Sequence, residues 1–318
     1  MDGMNVVVVF PGQGSQSIGM LSDYAETWPQ IKETFQQASD VLAYDCWDIV
    51  CNGPTEKINK TEITQPLMLA ADIAVMRVME QQCMLMPMVF AGHSLGEYAA
   101  LVAAEAIDFE DAIKLVSKRG QLMQAAVPEG EGAMSAIIGL NDDAIIQVCE
   151  KITADVGLPV EAVNFNSPGQ VVIAGATQAV TAAMEALKEE GAKRALPLPV
   201  SVPSHSTLMK PAADELAEYL KSVTINKPKI QVIHNVDAKS HDDADAIRDA
   251  LTKQLYNPVQ WTHTIQIITD GADVVVECGP GRVLGGLTRR INKDVKSFSL
   301  DSVASMDKFL ESMSMEDL

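Results

Sequence analysis

Met88-Val89-Phe90-Ala91-Gly92-His93-Ser94-Leu95-Gly96-Glu97 is the stretch that decides the fold. Its first four residues read as a buried strand, and a helical pattern follows over residues 97–106. Between them stands Gly92-x-Ser94-x-Gly96. A serine at a sharp strand-to-helix turn, flanked by glycines that let the backbone pass close, is a nucleophile elbow. That turn exposes the serine Oγ, aims a helix N-terminus at it, and leaves the N–H of Leu95 ready to stabilise an oxyanion. The competing reading of a bare GxSxG is a tight turn with an incidental serine. Strand before and helix after are the context that favours catalysis.

Val6-Val7-Val8-Val9-Phe10 is a continuous β-branched run, as in strands buried on both faces. It ends in the turn Pro11-Gly12-Gln13-Gly14-Ser15-Gln16. Helices are expected over residues 29–42, 66–82 and 111–126. Strands that alternate with helices imply a parallel α/β sheet. Residues 133–199 break this rhythm with strand 133–140, helix 142–154, strands 160–164 and 170–174, helix 177–190 and strand 193–199. That βαββαβ order is ferredoxin-like. The α/β pattern then resumes with helix 209–223, strand 231–234, helix 243–254, strand 274–277 and a helix after Gly281. The expected organisation is therefore an α/β domain over residues 1–128 and 201–318, interrupted by a ferredoxin-like subdomain over 129–200. Residues 307–318 are the one stretch expected to lack order.

Length and composition agree with that division. A chain of 318 residues can hold one large core and a smaller unit. A net charge of −19 disfavours nucleic acid and anionic membrane as partners, since both would repel it. Five cysteines without CxxC pairs or ligand-like spacing to histidine suit reduced thiols in a cytoplasm, and no metal site is expected. The apolar run near the N-terminus is too short for a signal peptide or a membrane span. Met84, Met86 and Met88 read as core filler.

A serine nucleophile needs a base, and histidine is the usual one. His205, in a loop entering a helix, is preferred over His93, His234, His241 and His263, which stay open as alternatives. Arg119 continues the apolar stripe of Ala112, Leu115, Val116, Leu122 and Met123. A guanidinium on a buried face needs an anion, because an unpaired buried charge costs about 3–5 kcal/mol. That anion is either a protein carboxylate in a structural ion pair or a carboxylate on the substrate. The glycines after the first strand miss the dinucleotide fingerprint, and Gly279-Pro280-Gly281 lacks a phosphate-loop lysine. The first of these loops instead suits a second oxyanion donor.

Phe10-Pro11-Gly12-Gln13-Gly14-Ser15-Gln16, Gly92-His93-Ser94-Leu95-Gly96-Glu97, Arg119, Pro203-Ser204-His205 and Gln254-Leu255-Tyr256-Asn257-Pro258-Val259 occur in this order. Together they resemble the bacterial malonyl-CoA:acyl carrier protein transacylases over nearly the whole chain. Acyltransferase domains of polyketide synthases share the elbow and the arginine. The resemblance implies an α/β-hydrolase-like core with the ferredoxin-like insertion. It implies Ser94 as the acylated nucleophile, His205 as its base, and the backbone carbonyl of Gln254 as the orienting group. It further implies an oxyanion hole from the N–H groups of Gln13 and Leu95, and a malonyl carboxylate held by Arg119. Gln65, His93, Met123, Asn164, Asn166, Gln170 and Val200 match positions lining that family's site. The implied partners are malonyl-CoA and acyl carrier protein, with no metal or redox cofactor. Because the carrier is expected to be acidic, the basic pairs Lys193-Arg194 and Arg289-Arg290 are the candidate docking points. The rival readings are a serine esterase or thioesterase, which the elbow alone would fit, and a non-catalytic protein that only binds a carrier.

Overall fold

The computed structural model describes residues 4–315. Its central sheet is parallel, with β1 (Val6–Phe10) in the middle. β2 (Val89–Gly92) and β7 (Gln231–Ile233) lie to one side of it, β8 (Val274–Glu277) and β9 (Lys296–Ser299) to the other. Every residue of β1 is fully buried, the outcome expected of a β-branched run covered by helices on both faces. All these strands run the same way, so the loops after β1, β2, β7 and β8 gather at one edge. Open parallel sheets bind ligands at that carboxyl edge.

The second sheet is antiparallel. It comprises β3 (Gly132–Ile138), β4 (Val160–Ser167), β5 (Gln170–Ala176) and β6 (Arg194–Pro197), in the order β4-β5-β3-β6. Helices Asp142–Val156 and Thr177–Glu189 bury Ile145, Cys149, Ala183 and Leu187 with one face of this sheet. The opposite face carries Met134, Val163, Val172 and Ala174, with Leu198 and Val200 packed against it. Backbone bonds tie β4 to the segment before helix Trp261–Ile268: Phe165 N–H to the Val259 carbonyl at 3.1 Å, and Val259 N–H to the Val163 carbonyl at 2.8 Å.

Three sequence expectations need correction. The helix expected from residue 66 begins earlier, as Thr61–Gln82, with Pro66 inside it. Its first turn is held by tertiary packing: the Thr64 hydroxyl donates to the Ile58 carbonyl, and helix Phe109–Ala126 passes so close at Gly120 that an added Cβ would meet Glu62 Cα at 2.7 Å. The chain end expected to lack order instead forms helix Val303–Met315, because Met306 and Phe309 are fully buried and Phe309 packs edge-on against Phe298. Residues 316–318 lie outside the described residues. Met84, Met86 and Met88 are exposed and are not core filler. No described helix is long and apolar enough to cross a membrane.

Candidate active site

Ser94 follows β2 at the carboxyl edge with a left-handed backbone (φ 53°), and helix Gly96–Ala103 starts two residues later. Strain of this kind persists only where the surroundings enforce it. Here they do, through glycine. A Cβ on Gly92 would fall 1.9 Å from the Gly96 carbonyl group, and one on Gly96 would fall 2.1 Å from the Phe10 carbonyl oxygen. The elbow is pressed against itself and against the end of β1, which leaves the serine hydroxyl facing the cleft.

His205 lies across that cleft, itself left-handed (φ 65°) and 2% exposed. Its Nε2 is 2.8 Å from Ser94 Oγ, and its Nδ1 is 2.7 Å from the backbone carbonyl of Gln254. A carbonyl only accepts, so Nδ1 carries the proton and Nε2 is left bare to receive the one on Ser94. Burial, reinforced by the Arg119 charge and by His93, pushes the imidazole pKa down to about 3, although the Gln254 carbonyl opposes the shift. His205 is therefore a neutral acceptor at physiological pH.

Arg119, on helix Phe109–Ala126, is 1% exposed and reaches the same point from below. Nη1 donates to Gln65 Oε1 at 2.8 Å, and Nη2 donates to Gln254 Oε1 at 3.0 Å and to Ser94 Oγ at 3.4 Å. Among the described residues its Nε is buried with no acceptor, and the guanidinium packs on the Tyr98 ring at 5.3 Å. Among the described residues no carboxylate lies within ion-pairing distance of it. Burial lowers its pKa, with Tyr98 and then Glu97 opposing. A buried cation held only by neutral acceptors beside Ser94 lacks a countercharge, which an anion from outside would supply.

The oxyanion donors implied by the sequence lie together. A Cβ on Gly12 would stand 2.5 Å from the His93 carbonyl oxygen and 3.4 Å from Leu95 N, so the Pro11–Gly14 turn runs directly along the elbow. Among the described residues, neither the Gln13 nor the Leu95 N–H has an acceptor. A cleft of about 420 Å³ opens over these groups; Gln13, His93, Ser94, Asn164, Val200 and His205 are among the residues that line it. The His93 side chain turns away from Ser94, with Nε2 2.7 Å from Asn166 Oδ1 and the ring edge-on to Trp261. Met123 and Gln65 do not line the cleft; the Met123 sulfur accepts from Gln65 Nε2 at 3.4 Å, and Gln65 in turn accepts from Arg119. Gln170 is not brought to the cleft: it begins β5 opposite Ile138, near the far end of the antiparallel sheet. Lys193 and Arg194 are exposed at that same end, about 13 Å along β6 from Leu198 at the cleft. Arg289 and Arg290 are exposed on helix Val283–Ile291.

Two buried groups behind the elbow escaped the sequence reading. Asn235 accepts from Ser94 N–H at 2.8 Å and donates to the Gly92 carbonyl at 2.7 Å, and Glu97 accepts from the Asn235 backbone N–H. The position of Asn235 just past a parallel strand is a signal that could have found it.

A family description matches residues 7–308 of this chain, that of the acyl transferase domain. The chain belongs to this family. Among relatives of this acyl transferase, the malonyl CoA-acyl carrier protein transacylase of Haemophilus influenzae is 57% identical over 94% of this chain and 96% of its own. That of Escherichia coli K12 is 55% identical over 95% and 98%. A solved malonyl-transacylase in complex with its type II PKS acyl-carrier protein superposes with a TM-score of 0.95 at 53% identity, covering 97% of this chain and 99% of that one. The acyl carrier protein S-malonyltransferase of Vibrio cholerae superposes with a TM-score of 0.93 at 55% identity, covering 96% and 99%.

Proposed function

We propose that this acyl transferase moves a malonyl group from malonyl-CoA to the phosphopantetheine thiol of acyl carrier protein, through an ester on Ser94. The observation that carries the reading is the Arg119 guanidinium, buried, unpaired with any described carboxylate and 3.4 Å from Ser94 Oγ. It suits an acyl group that ends in a carboxylate. A serine esterase for neutral acyl groups has no use for that charge, and burying it is costly.

In the first step His205 Nε2 takes the Ser94 proton as Oγ attacks the thioester carbonyl. The charge that develops on the carbonyl oxygen falls to the N–H groups of Gln13 and Leu95. The intermediate collapses, the C–S bond breaks, and coenzyme A leaves as a thiol with the proton returned from His205. In the second step the carrier thiol gives its proton to His205 and attacks the ester. Ser94 recovers the proton and malonyl leaves on the carrier. Gln254 keeps its carbonyl on Nδ1 throughout, which stabilises the imidazolium without a carboxylate. Gln65 and Met123 support Arg119 from below, and Asn164, Asn166, His93 and Val200 shape the acyl and pantetheine path. Gln170, which begins β5 away from the cleft, has no part in either step. Every step balances without a metal or redox cofactor.

The finer architecture belongs to this reading: an α/β-hydrolase-like domain over residues 1–128 and 201–318, and a ferredoxin-like subdomain over 129–200. The strand order β4-β5-β3-β6 supports the second term. The carrier, an acidic partner for a chain of charge −19, would dock on local basic groups at Arg289-Arg290 or Lys193-Arg194. A cytoplasmic location in fatty acid synthesis completes it. The test is intact mass after mixing with malonyl-CoA. A malonyl adduct that is absent in Ser94→Ala is expected; no adduct on the unsubstituted chain rejects the reading.

A further inference from the structure

The β2–β7 ladder ends at Ala91 and Ile233, one residue before the chain turns into the elbow. The next polar groups of the elbow strand, the Gly92 carbonyl and the Ser94 N–H, have no strand residue left to pair with. Asn235 takes them with its side chain. Nδ2 donates to the Gly92 carbonyl at 2.7 Å, and Oδ1 accepts from Ser94 N–H at 2.8 Å. One carboxamide thus does what a peptide group of the next strand would do, offering a donor and an acceptor side by side. The same Oδ1 accepts from Gln254 Nε2 at 3.2 Å, and that Nε2 also donates to the Ser94 carbonyl at 2.9 Å.

Asn235 is fully buried and uses every polar atom it has. Its backbone N–H is held by the Glu97 carboxylate, and its carbonyl accepts from Gln260 N–H at 2.9 Å. Glu97 is fully buried on the elbow's own helix. The clamp therefore closes on itself, from elbow to Asn235 to Glu97 and back. We infer that Asn235 is the positioning residue of this active site: its side-chain amide replaces a strand partner and holds Ser94 in the left-handed turn, in register with Gln254 and hence with His205. The inference rests on the acyl-enzyme reading above and adds the group that sets the nucleophile.

The test is single-turnover acylation by malonyl-CoA, read by intact mass. Asn235→Ala leaves the Ser94 N–H and the Gly92 carbonyl unpaired, so the hydroxyl drifts. A displacement of about 1 Å costs about a hundredfold in rate, and a loss of that order is expected with the half-saturating malonyl-CoA concentration unchanged. Asn235→Asp supplies a readout that a merely structural role would not move. A neutral carboxyl offers the same donor and acceptor as the amide, whereas an ionised one has no donor for the Gly92 carbonyl. Its acylation rate relative to the unsubstituted chain is therefore expected to rise as pH is lowered from about 8 to about 5. If Asn235→Ala does not fold, this ratio decides alone. Acylation of Asn235→Ala at the unsubstituted rate, or a ratio for Asn235→Asp that stays flat with pH, overturns the inference. An unsubstituted chain that forms no adduct overturns the acyl-enzyme reading, and this inference with it.

Discussion

Gln254 meets Arg119 side chain to side chain, Oε1 to Nη2 at 3.0 Å, while its backbone carbonyl holds His205 Nδ1 at 2.7 Å. One residue at the end of helix Ala244–Gln254 thus meets Arg119 and His205 through different atoms. Substitution can separate the two. Gln254→Glu keeps the carbonyl on His205 and gives Arg119 a protein carboxylate. The Nε2 donations to the Ser94 carbonyl and to Asn235 are lost for either substrate, and malonyl acylation is expected to fall about tenfold to a hundredfold further than acetyl acylation, in line with about 1.5–3 kcal/mol for a hydrogen bond to a charged group. Parallel measurement with malonyl-CoA and acetyl-CoA checks it; equal losses would show that the substitution has damaged the base.

Removing the cation itself should be more selective still. Breaking one side of a buried charge pair costs about 2–5 kcal/mol, so Arg119→Ala is expected to slow malonyl transfer by about thirtyfold to several thousandfold. Transfer or hydrolysis of acetyl should be spared. If malonyl and acetyl turnover decline together, Arg119 is a structural residue and the cargo assignment fails.

The depressed pKa of His205 has a consequence for pH that runs opposite to the usual surface histidine. The folded chain keeps His205 neutral down to about 3, whereas an unfolded chain protonates it near the ordinary histidine value of 6.5. Below that value the unfolded state binds the extra proton, so this residue's contribution to stability is lost as pH falls from about 6.5 toward about 3. Glu277 acts in the other direction, since burial raises its pKa to about 7 and it favours the fold as pH drops. Urea unfolding of the unsubstituted chain and His205→Gln, compared across this range, isolates the first effect: the unsubstituted chain should lose stability relative to the variant on acidification. The rate of Ser94 acylation should show no acidic limb near 6.5. A limb there would mean that His205 titrates normally.

The elbow glycines are steric requirements. Gly96→Ala would drive a Cβ to 2.1 Å from the Phe10 carbonyl oxygen, a backbone atom of the central strand that cannot yield cheaply. A loss exceeding about 4 kcal/mol, or failure to fold, is expected for such an overpacked core position. A thermal midpoint within a few degrees of the unsubstituted chain would contradict this.

Carrier docking can be separated from chemistry. Replacing Arg289 and Arg290 with Glu is expected to weaken transfer to acyl carrier protein, most strongly at low salt, and to leave acylation by malonyl-CoA unchanged. The same pair of measurements on Lys193→Glu with Arg194→Glu compares the second patch. Equal loss in both half-reactions would reject either patch as a docking point.

The local residues carried much of this on their own. The β-branched run of β1, the flanking glycines around Ser94 and the apolar stripe that draws Arg119 inward are short-range patterns. Each dictates its own geometry whatever surrounds it, and so the parallel sheet, the elbow and the buried cation could all be read from the order of residues. Tertiary structure decided what depends on groups far apart in the chain. Whether Arg119 was already neutralised depended on Gln65 and Gln254, which lie 54 and 135 residues away. The sequence already preferred His205 among five histidines, but its 2.8 Å approach to Ser94, 111 residues away, exists only in the fold. Asn235 reads as an ordinary residue past a strand until the ladder beside it is seen to end at Ala91. The helix Val303–Met315 likewise exists because Met306 and Phe309 find a core to fill, a condition that its own sequence could not announce.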